Sequence, residues 1–454
     1  MQKLSNSPFK AYDIRGRVPD QLDEERSFLI GQAFARVVQP QGPVAIGFDM
    51  RLSSQSLAAA LARGLNRAGV DTRDIGLCGT ELVYHAASLE GMGGGIMITA
   101  SHNPADYNGM KMVREQAIPI SADTGLKEME ALLAAGMEPV TVDDPGQHQH
   151  LAVFDGYVRR ARAFVDSDRI GPTKIVVNAG NGCAGPAFDA IAEGLPLEVT
   201  RIHHEPDGTF PNGVPNPLLP ENREETSRAV IEAGADLGVA WDGDFDRCFF
   251  FDNTGRFVEG YYLVGLFARQ LLERSPGEKI VLDPRLTWNT LAEVADAGGD
   301  ALVNKSGHAF IKERMRSENA LYGGEMSAHH YFRDFSYCDS GMIPWLLLLE
   351  RIHATGKSLA ELVDERIRAF PCSGEINFTV EDTETVLDRV LRHFESDQPS
   401  IDRTDGISLS FERWRFNLRA SNTEPVIRLN VETRADERLL AEKTELLRSL
   451  IEHH

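Results

Sequence analysis

VAIGFDMRLSS at 44–54 and KIVLDPRLTWNT at 279–290 read alike: an apolar run, then Asp-x-Arg-Leu-Ser/Thr, then a stretch that suits a helix. A short apolar run bounded by turn signals is consistent with a strand buried on both faces, as in parallel sheets. KIVVNAGNGCAGP at 174–186 takes the same kind of position between them, with a Gly-rich turn in place of Asp-x-Arg. Such an echo predicts repeated architecture. Strand-then-helix alternation continues through about the first 365 residues, which predicts α/β layers with much parallel sheet. Three related α/β domains with mixed sheets, in tandem, are expected.

After Phe370 and Pro371 the pattern changes to short alternating strands: GEINFTV (374–380), GISLSF (406–411), WRFNLRA (414–420) and VIRLNVETR (426–434). With helical stretches at 384–395 and 436–452, this predicts a smaller C-terminal α+β domain with an antiparallel sheet. Pro/Gly-bearing turns place the domains at 1–148, 149–250, 251–366 and 367–454. IPWLLLLE at 343–350 reads as a buried helix, being too short to span a bilayer.

The 454 residues carry 47 basic and 68 acidic side chains, a net charge of -21. A surface this acidic repels nucleic acid and anionic membranes, so anionic ligands require local basic clusters or a metal. Cys78, Cys183, Cys248, Cys338 and Cys372 are scattered, without a CxxC pair, which argues against a zinc site or a disulfide framework. No apolar signal-peptide core opens the sequence, so a cytoplasmic location is expected, with no obligate protein partner evident.

Four stretches carry chemistry. Thr99-Ala-Ser-His-Asn-Pro104 follows the strand-like GGGIMIT, and Pro104 disfavours helix at Asn103, so Ser101 is expected on an exposed, ordered loop. His102 is no obvious base for it, because adjacent side chains seldom meet. Trp241-Asp-Gly-Asp-Phe-Asp-Arg247 lies between ADLGVAW and CFFFD. Alternate residues of a regular strand stand about 6.6–7 Å apart, too far to share an ion, but Gly243 lets the chain curl until the carboxylates converge. Two like charges about 4 Å apart repel by about 4 kcal/mol at an effective dielectric of 20, which calls for a cation. Arg247 and Asn253 stand where an EF-hand needs Gly and Glu. Carboxylates with open positions suit Mg²⁺ shared with a phosphate.

Gly323-Gly-Glu-Met-Ser-Ala-His-His330 alternates Glu325, Ser327 and His329, which in an extended chain share one face and can hydrogen-bond a sugar diol. A polar loop explains the stretch equally well. Arg419-Ala-Ser-Asn-Thr-Glu-Pro425 with Arg428 offers guanidinium forks, hydroxyls and backbone N–H groups for a phosphate, or simply a capped turn. Gly180-Asn-Gly-Cys-Ala-Gly185 matches a dinucleotide fingerprint, with Glu205 at a plausible spacing. A Gly-rich turn in a repeated unit accounts for it too, and a dinucleotide leaves the acidic triad unexplained.

TASHNP, DGDFDR, GEMSAHH and RASNTEP, in this order and at these spacings, resemble the α-D-phosphohexomutases over essentially the whole chain, from FKAYDIRG (9–16) onward, and bacterial phosphomannomutase/phosphoglucomutase enzymes in particular. The resemblance implies four domains around a central cleft and a phosphorylated Ser101. It implies Mg²⁺ on Asp242, Asp244, Asp246 and the seryl phosphate, with Arg247 beside them. Glu325, Ser327 and His329 are then expected to hold sugar hydroxyls, and Arg419, Ser421, Asn422, Thr423 and Arg428 the distal phosphate. Tyr12, Arg15, Lys111, Arg285 and His308 match positions lining that family's cleft.

The implied reaction moves a phosphoryl group between positions 1 and 6 of mannose, and of glucose, through a hexose 1,6-bisphosphate that also serves as activator. Lys111 and His308 are the candidates for general acid and base, Lys111 through a pKa lowered by neighbouring cations. Met326 resembles the residue of mutases that accept mannose. The rival reading is a Mg²⁺-dependent sugar-phosphate phosphatase with an aspartyl nucleophile at Asp242 or Asp244, which has no use for Ser101. A sugar-phosphate sensor would have no need of an intact nucleophile and metal triad.

Overall fold

The computed structural model describes residues 7–380, 382–420 and 426–452. They form two compact units. One holds the chain up to Phe257 together with His329–Gly356; the other holds Val258–Ala328 and the chain from Lys357 on.

Among the described residues, the first unit contains two sheets and the antiparallel strand pair His330–Phe332 and Cys338–Asp339. The six strands of one run in the order Ile14–Arg17, Tyr107–Arg114, Gly94–Ile98, Val44–Phe48, Thr72–Leu77, His148–His150. Gly94–Ile98, Thr72–Leu77 and His148–His150 extend the central strand in parallel, while Tyr107–Arg114 and Ile14–Arg17 add on antiparallel. Val44–Phe48 is nearly all buried, as its unbroken apolar run predicts. The second sheet orders Phe257–Val258, Cys248–Asp252, Leu237–Trp241, Thr173–Asn178, Leu197–Ile202, with the last three parallel. Helix Ile343–Thr355 belongs to this unit, and its Trp345 ring packs 5.0 Å from Phe188, between centroids.

In the second unit, parallel strands Asp300–Val303, Lys279–Leu282 and Tyr322–Gly324 are accompanied by helices Gly260–Arg274, Trp288–Asp296 and His308–Glu318. A wholly antiparallel sheet follows, ordered Cys372–Thr379, Val426–Thr433, Trp414–Ala420, Ile407–Ser410, Ser400–Asp402. Helices Thr383–His393 and Glu437–Glu452 contribute Val386, Val390, Leu447 and Ile451 to its core.

The echo is structural. Val44–Phe48, Thr173–Asn178 and Lys279–Leu282 each lead through a turn into a helix, at Ser54, Ala184 and Trp288. The expected divisions fit less well. The one at 148/149 falls inside an edge strand of the first sheet, and the one at 250/251 inside Cys248–Asp252, whose sheet runs on to Val258. The stretch 329–356 leaves its sequence neighbours to fold with the first unit, because its apolar helix is buried there.

Glu81 helps to hold that stretch. It is fully buried near the start of helix Thr80–Ala87 and accepts from Ser340 Oγ at 2.5 Å and from the Gly341 N–H at 3.2 Å. Burial pushes its carboxyl up to about 8, against the downward pull of bonds from Ser340, Tyr157 and Gly341. A carboxyl raised in the folded state contributes stability below its unfolded pKa and loses it as pH climbs through the folded one. Thermal unfolding of the wild type should therefore shift to lower temperature as pH rises from about 4.5 towards 8. Glu81→Gln should flatten that dependence, as a melting series across this range would show.

Candidate active site and metal centre

Ser101 lies in the connection between antiparallel strands Gly94–Ile98 and Tyr107–Arg114. Its φ is +50°, a left-handed conformation rarely held by a side-chain-bearing residue without support. Arg51 supplies that support: its guanidinium donates to the carbonyls of Ser101 (3.0 Å), Asn103 (2.6 Å), Pro104 (2.7 Å) and Tyr107 (2.9 Å). Asp49, at 3.4 Å, pairs with Arg51 from beneath. Arg51 is the Arg of the first Asp-x-Arg echo, so the repeat held a signal for this role. Ser101 itself is not exposed as expected: it is 2 % accessible and covered by the acidic loop, while Pro104, Ala105 and Asp106 of the same loop are exposed.

The acidic loop turns between Leu237–Trp241 and Cys248–Asp252. A Cβ on Gly243 would lie 2.7 Å from the Ser101 carbonyl oxygen, so only glycine permits this approach. The Gly243 carbonyl accepts from the Cys183 N–H at 2.9 Å. The Gly-rich turn that matched a dinucleotide fingerprint thus braces the acidic loop from behind.

Asp242, Asp244 and Asp246 are buried, and one oxygen from each lies within 4.8 Å of the others. Asp242 Oδ2 accepts from Ser101 Oγ at 2.7 Å and from Arg247 Nη2 at 2.6 Å. Lys111 Nζ donates to Asp244 Oδ2 at 2.6 Å and Asp246 Oδ2 at 2.5 Å. The Oδ1 atom of each aspartate is buried without a hydrogen-bond partner. Three carboxylates face two cations here, and three buried oxygens are left over, a cost a structure retains only for a reason. Hard oxygen donors on a short turn fit a hard divalent cation such as Mg²⁺.

Two expectations need correcting. Burial would lower the Lys111 ammonium, but Asp244 and Asp246 outweigh it and hold Lys111 above its ordinary range. Its nearest neighbours are anions, not the cations expected. His102 does reach Ser101: its Nδ1 lies 3.0 Å from Ser101 Oγ and accepts from Arg247 Nη2 at 2.5 Å. The left-handed turn at Ser101 folds the adjacent side chains together. Burial, then Arg247, keeps His102 well below the usual imidazole range, so it is neutral.

Arg15 borders the serine loop, pairing with Asp13 at 2.7 Å and donating to Asn103 Oδ1, while Tyr12 is half-buried just ahead of the same strand. His329 also sits in this unit. Its Nδ1 is 2.9 Å from Asp339 Oδ2, and the pair approaches Asp246 within 4.8 Å.

In the second unit, Arg285 is gripped by both oxygens of Asp283 at 2.9 Å and donates to Ser327 Oγ at 3.1 Å, with Glu325 at 3.7 Å. Glu325 accepts from the Gly307 N–H at 2.8 Å, next to His308 at the start of helix His308–Glu318. The extended alternation of Glu325, Ser327 and His329 is not what forms. Residues 325–328 make a turn closed by Ala328 N–H to Glu325 O at 3.0 Å, because Met326 N–H is tied to Asp283 Oδ2 at 2.8 Å. Glu325 and Ser327 therefore face Arg285, and His329 joins the acidic loop instead.

Arg419 and Arg428 stand directly opposite each other on neighbouring strands. Glu375 is 3.5 Å from Arg419 and 3.9 Å from Arg428, and Asp405 is 3.4 Å from Arg419. Burial and the nearby Arg285 pull the Arg419 guanidinium below its ordinary value, against the opposite pull of Glu375 and Asp405. Ser421, Asn422 and Thr423 lie outside the described residues.

Family models for the phosphoglucomutase/phosphomannomutase domains match in series: the α/β/α domains I, II and III at residues 6–139, 155–255 and 259–370, and the C-terminal domain at 375–449. The chain belongs to the phosphoglucomutase/phosphomannomutase family. It is 57% identical over 444 residues to a protein of Xanthomonas campestris pv. campestris named "Phosphohexose mutases", covering 98% of each. It is 54% identical over 457 residues to a phosphomannomutase of Escherichia coli K12, covering 99% of this chain and 100% of that one. A crystal structure of a family member from Burkholderia thailandensis superposes with a TM-score of 0.87 at 32% identity, covering 98% of this chain and 97% of that one. The chain is thus a hexose phosphate mutase, an isomerase that transfers a phosphoryl group, and the aspartyl phosphatase reading finds no support. Among the described residues no helix is long and apolar enough to cross a membrane.

Asp246→Asn removes one of the three crowded charges and one carboxylate oxygen of the cluster. Without metal its melting temperature should equal or exceed that of the wild type, and added Mg²⁺ should raise the melting temperature of the wild type but not of the variant. Melting curves with and without Mg²⁺ check both signs.

Proposed function

We propose that the enzyme interconverts mannose 1-phosphate and mannose 6-phosphate, and the corresponding glucose phosphates, through a phosphoryl group carried on Ser101. The observation that carries this reading is Ser101 Oγ at 2.7 Å from Asp242, beside three carboxylates with unpartnered oxygens. Mannose is favoured by the curated relatives named phosphomannomutase at 50% identity or more over nearly the whole chain. The expected place of work is the cytoplasm.

Asp242, Asp244 and Asp246, with an oxygen of the seryl phosphate, would hold Mg²⁺, which supplies charge neutralisation at the transferring phosphoryl group. Arg247 and Arg15 flank Ser101 and offset further charge. Phosphoryl transfer depends mainly on alignment and electrostatics. Arg285 orients Ser327 and Glu325 for sugar hydroxyls, and His329 is assigned to the same task. Arg419 and Arg428, with Ser421, Asn422 and Thr423, grip the phosphate that is not reacting. Their cationic cluster overrides the repulsion that a net charge of -21 would otherwise impose on an anionic substrate.

In the forward half, the P–O bond to Ser101 breaks as a sugar hydroxyl oxygen bonds to phosphorus, and the hydroxyl proton passes to a base, which we assign to His308. The 1,6-bisphosphate then turns end over end and returns its other phosphoryl group to the Ser101 oxygen. Lys111, held protonated between two carboxylates, serves as cation and as proton donor to the leaving serine oxygen rather than as base.

Purified protein given mannose or glucose 1-phosphate, Mg²⁺ and a trace of bisphosphate should form the 6-phosphate. Intact mass should show one phosphoryl group on the wild type and none on Ser101→Ala, whose kcat/KM should fall on the order of 10³-fold or more. Undiminished turnover by Ser101→Ala would refute the phosphoserine.

A further inference from the structure

Asp244 differs from its two neighbours in what holds it. Its main-chain carbonyl accepts from the Thr80 N–H at 3.1 Å, and its Oδ2 accepts from the Thr80 hydroxyl. Lys111 Nζ stands 2.6 Å from the same Oδ2 and 3.5 Å from Thr80 Oγ1. An ammonium group has donors only, so Thr80 Oγ1 receives from Lys111 and must send its own proton to Asp244. Oδ2 is thereby fully engaged, and Oδ1 is left buried and unpartnered.

Thr80 itself has no freedom to drift. It is fully buried at the first position of helix Thr80–Ala87. The residue before it is Gly79, where a Cβ would fall 2.1 Å from the ring of Phe245, the residue that follows Asp244. Helix start and acidic loop are thus interlocked at adjacent positions. Thr80 belongs to the same α/β domain as Ser101, whereas Asp244 belongs to the next, so this contact ties a cation-facing carboxylate to the domain that carries the serine.

We propose that Thr80 is a positioning residue for the metal: by occupying Oδ2 and fixing the backbone of Asp244, it dictates which oxygen faces the ion. The inference rests on the reading of the acidic triad as a Mg²⁺ site. Thr80 touches neither substrate nor the reacting atoms, and nothing in the sequence marks it.

The test is Mg²⁺ titration of the full-length protein by calorimetry, comparing wild type with Thr80→Val, Thr80→Ser and Thr80→Ala. Outer-sphere partners of metal ligands typically account for about 10–100-fold in affinity. Thr80→Val, which keeps the shape and loses the hydroxyl, should weaken Mg²⁺ binding by that range. Thr80→Ser should stay within about threefold of the wild type. In turnover, the Mg²⁺ concentration for half-maximal rate should rise for Thr80→Val while KM for the hexose phosphate stays put. Should Thr80→Val fail to fold, the Ser/Ala pair, which differs only in the hydroxyl, must show the same split. Equal Mg²⁺ affinity in variants with and without the hydroxyl overturns the proposal. Absence of Mg²⁺ binding by the wild type would instead overturn the metal reading beneath it.

Discussion

Asp242, Asp244 and Asp246 sit on one tight turn, out of water, with an oxygen from each inside a span of 4.8 Å. Two such charges about 4 Å apart repel by about 4 kcal/mol even at an effective dielectric of 20, and Lys111 and Arg247 offset only part of this. Burial and the Asp244 charge accordingly push the Asp246 carboxyl up. An arrangement this costly persists only where the surrounding structure over-determines it, and a divalent cation would offset it further.

Much of the first unit can be understood as that restraint. Arg51 shapes the serine loop through four carbonyls, and Gly243 lets the acidic loop close against it. The Gly-rich turn braces Gly243 through Cys183, and Trp241 Nε1 donates to the Gly341 carbonyl at 2.8 Å. The stretch around Gly341 is in turn fastened by Glu81. These contacts converge on the serine and acidic loops and fix their mutual placement. The second unit has the opposite electrostatic character where Arg285, Arg419 and Arg428 gather around Glu375. A chain acidic overall thus keeps a local cluster of cations in this unit.

What could be read from the sequence is what local rules govern. The three strand–turn–helix units and the antiparallel end follow from apolar runs and alternation, and the acidic triad stands out because its flanks are too apolar for a solvated acidic turn. Tertiary contacts govern the rest. No sequence rule places Thr80 on Asp244, or sends residues 329–356 to join the first unit. The contact between Ser101 and His102 required a left-handed residue at a position that is not glycine. The turn at 325–328 overrode an alternation that suggested a strand, because a buried aspartate, Asp283, claimed the Met326 N–H. Arg51 lies in the repeated Asp-x-Arg motif, but its purpose depends on four carbonyls about fifty residues away.

Locating the ion tests the account most directly. Crystals of the phosphorylated protein grown with Mn²⁺ in place of Mg²⁺ should give a single strong anomalous peak, bonded at about 2.0–2.2 Å to one oxygen from each of Asp242, Asp244 and Asp246 and to the phosphate on Ser101. A peak that leaves any of the three aspartates unbound, or that lies away from Ser101, would contradict it.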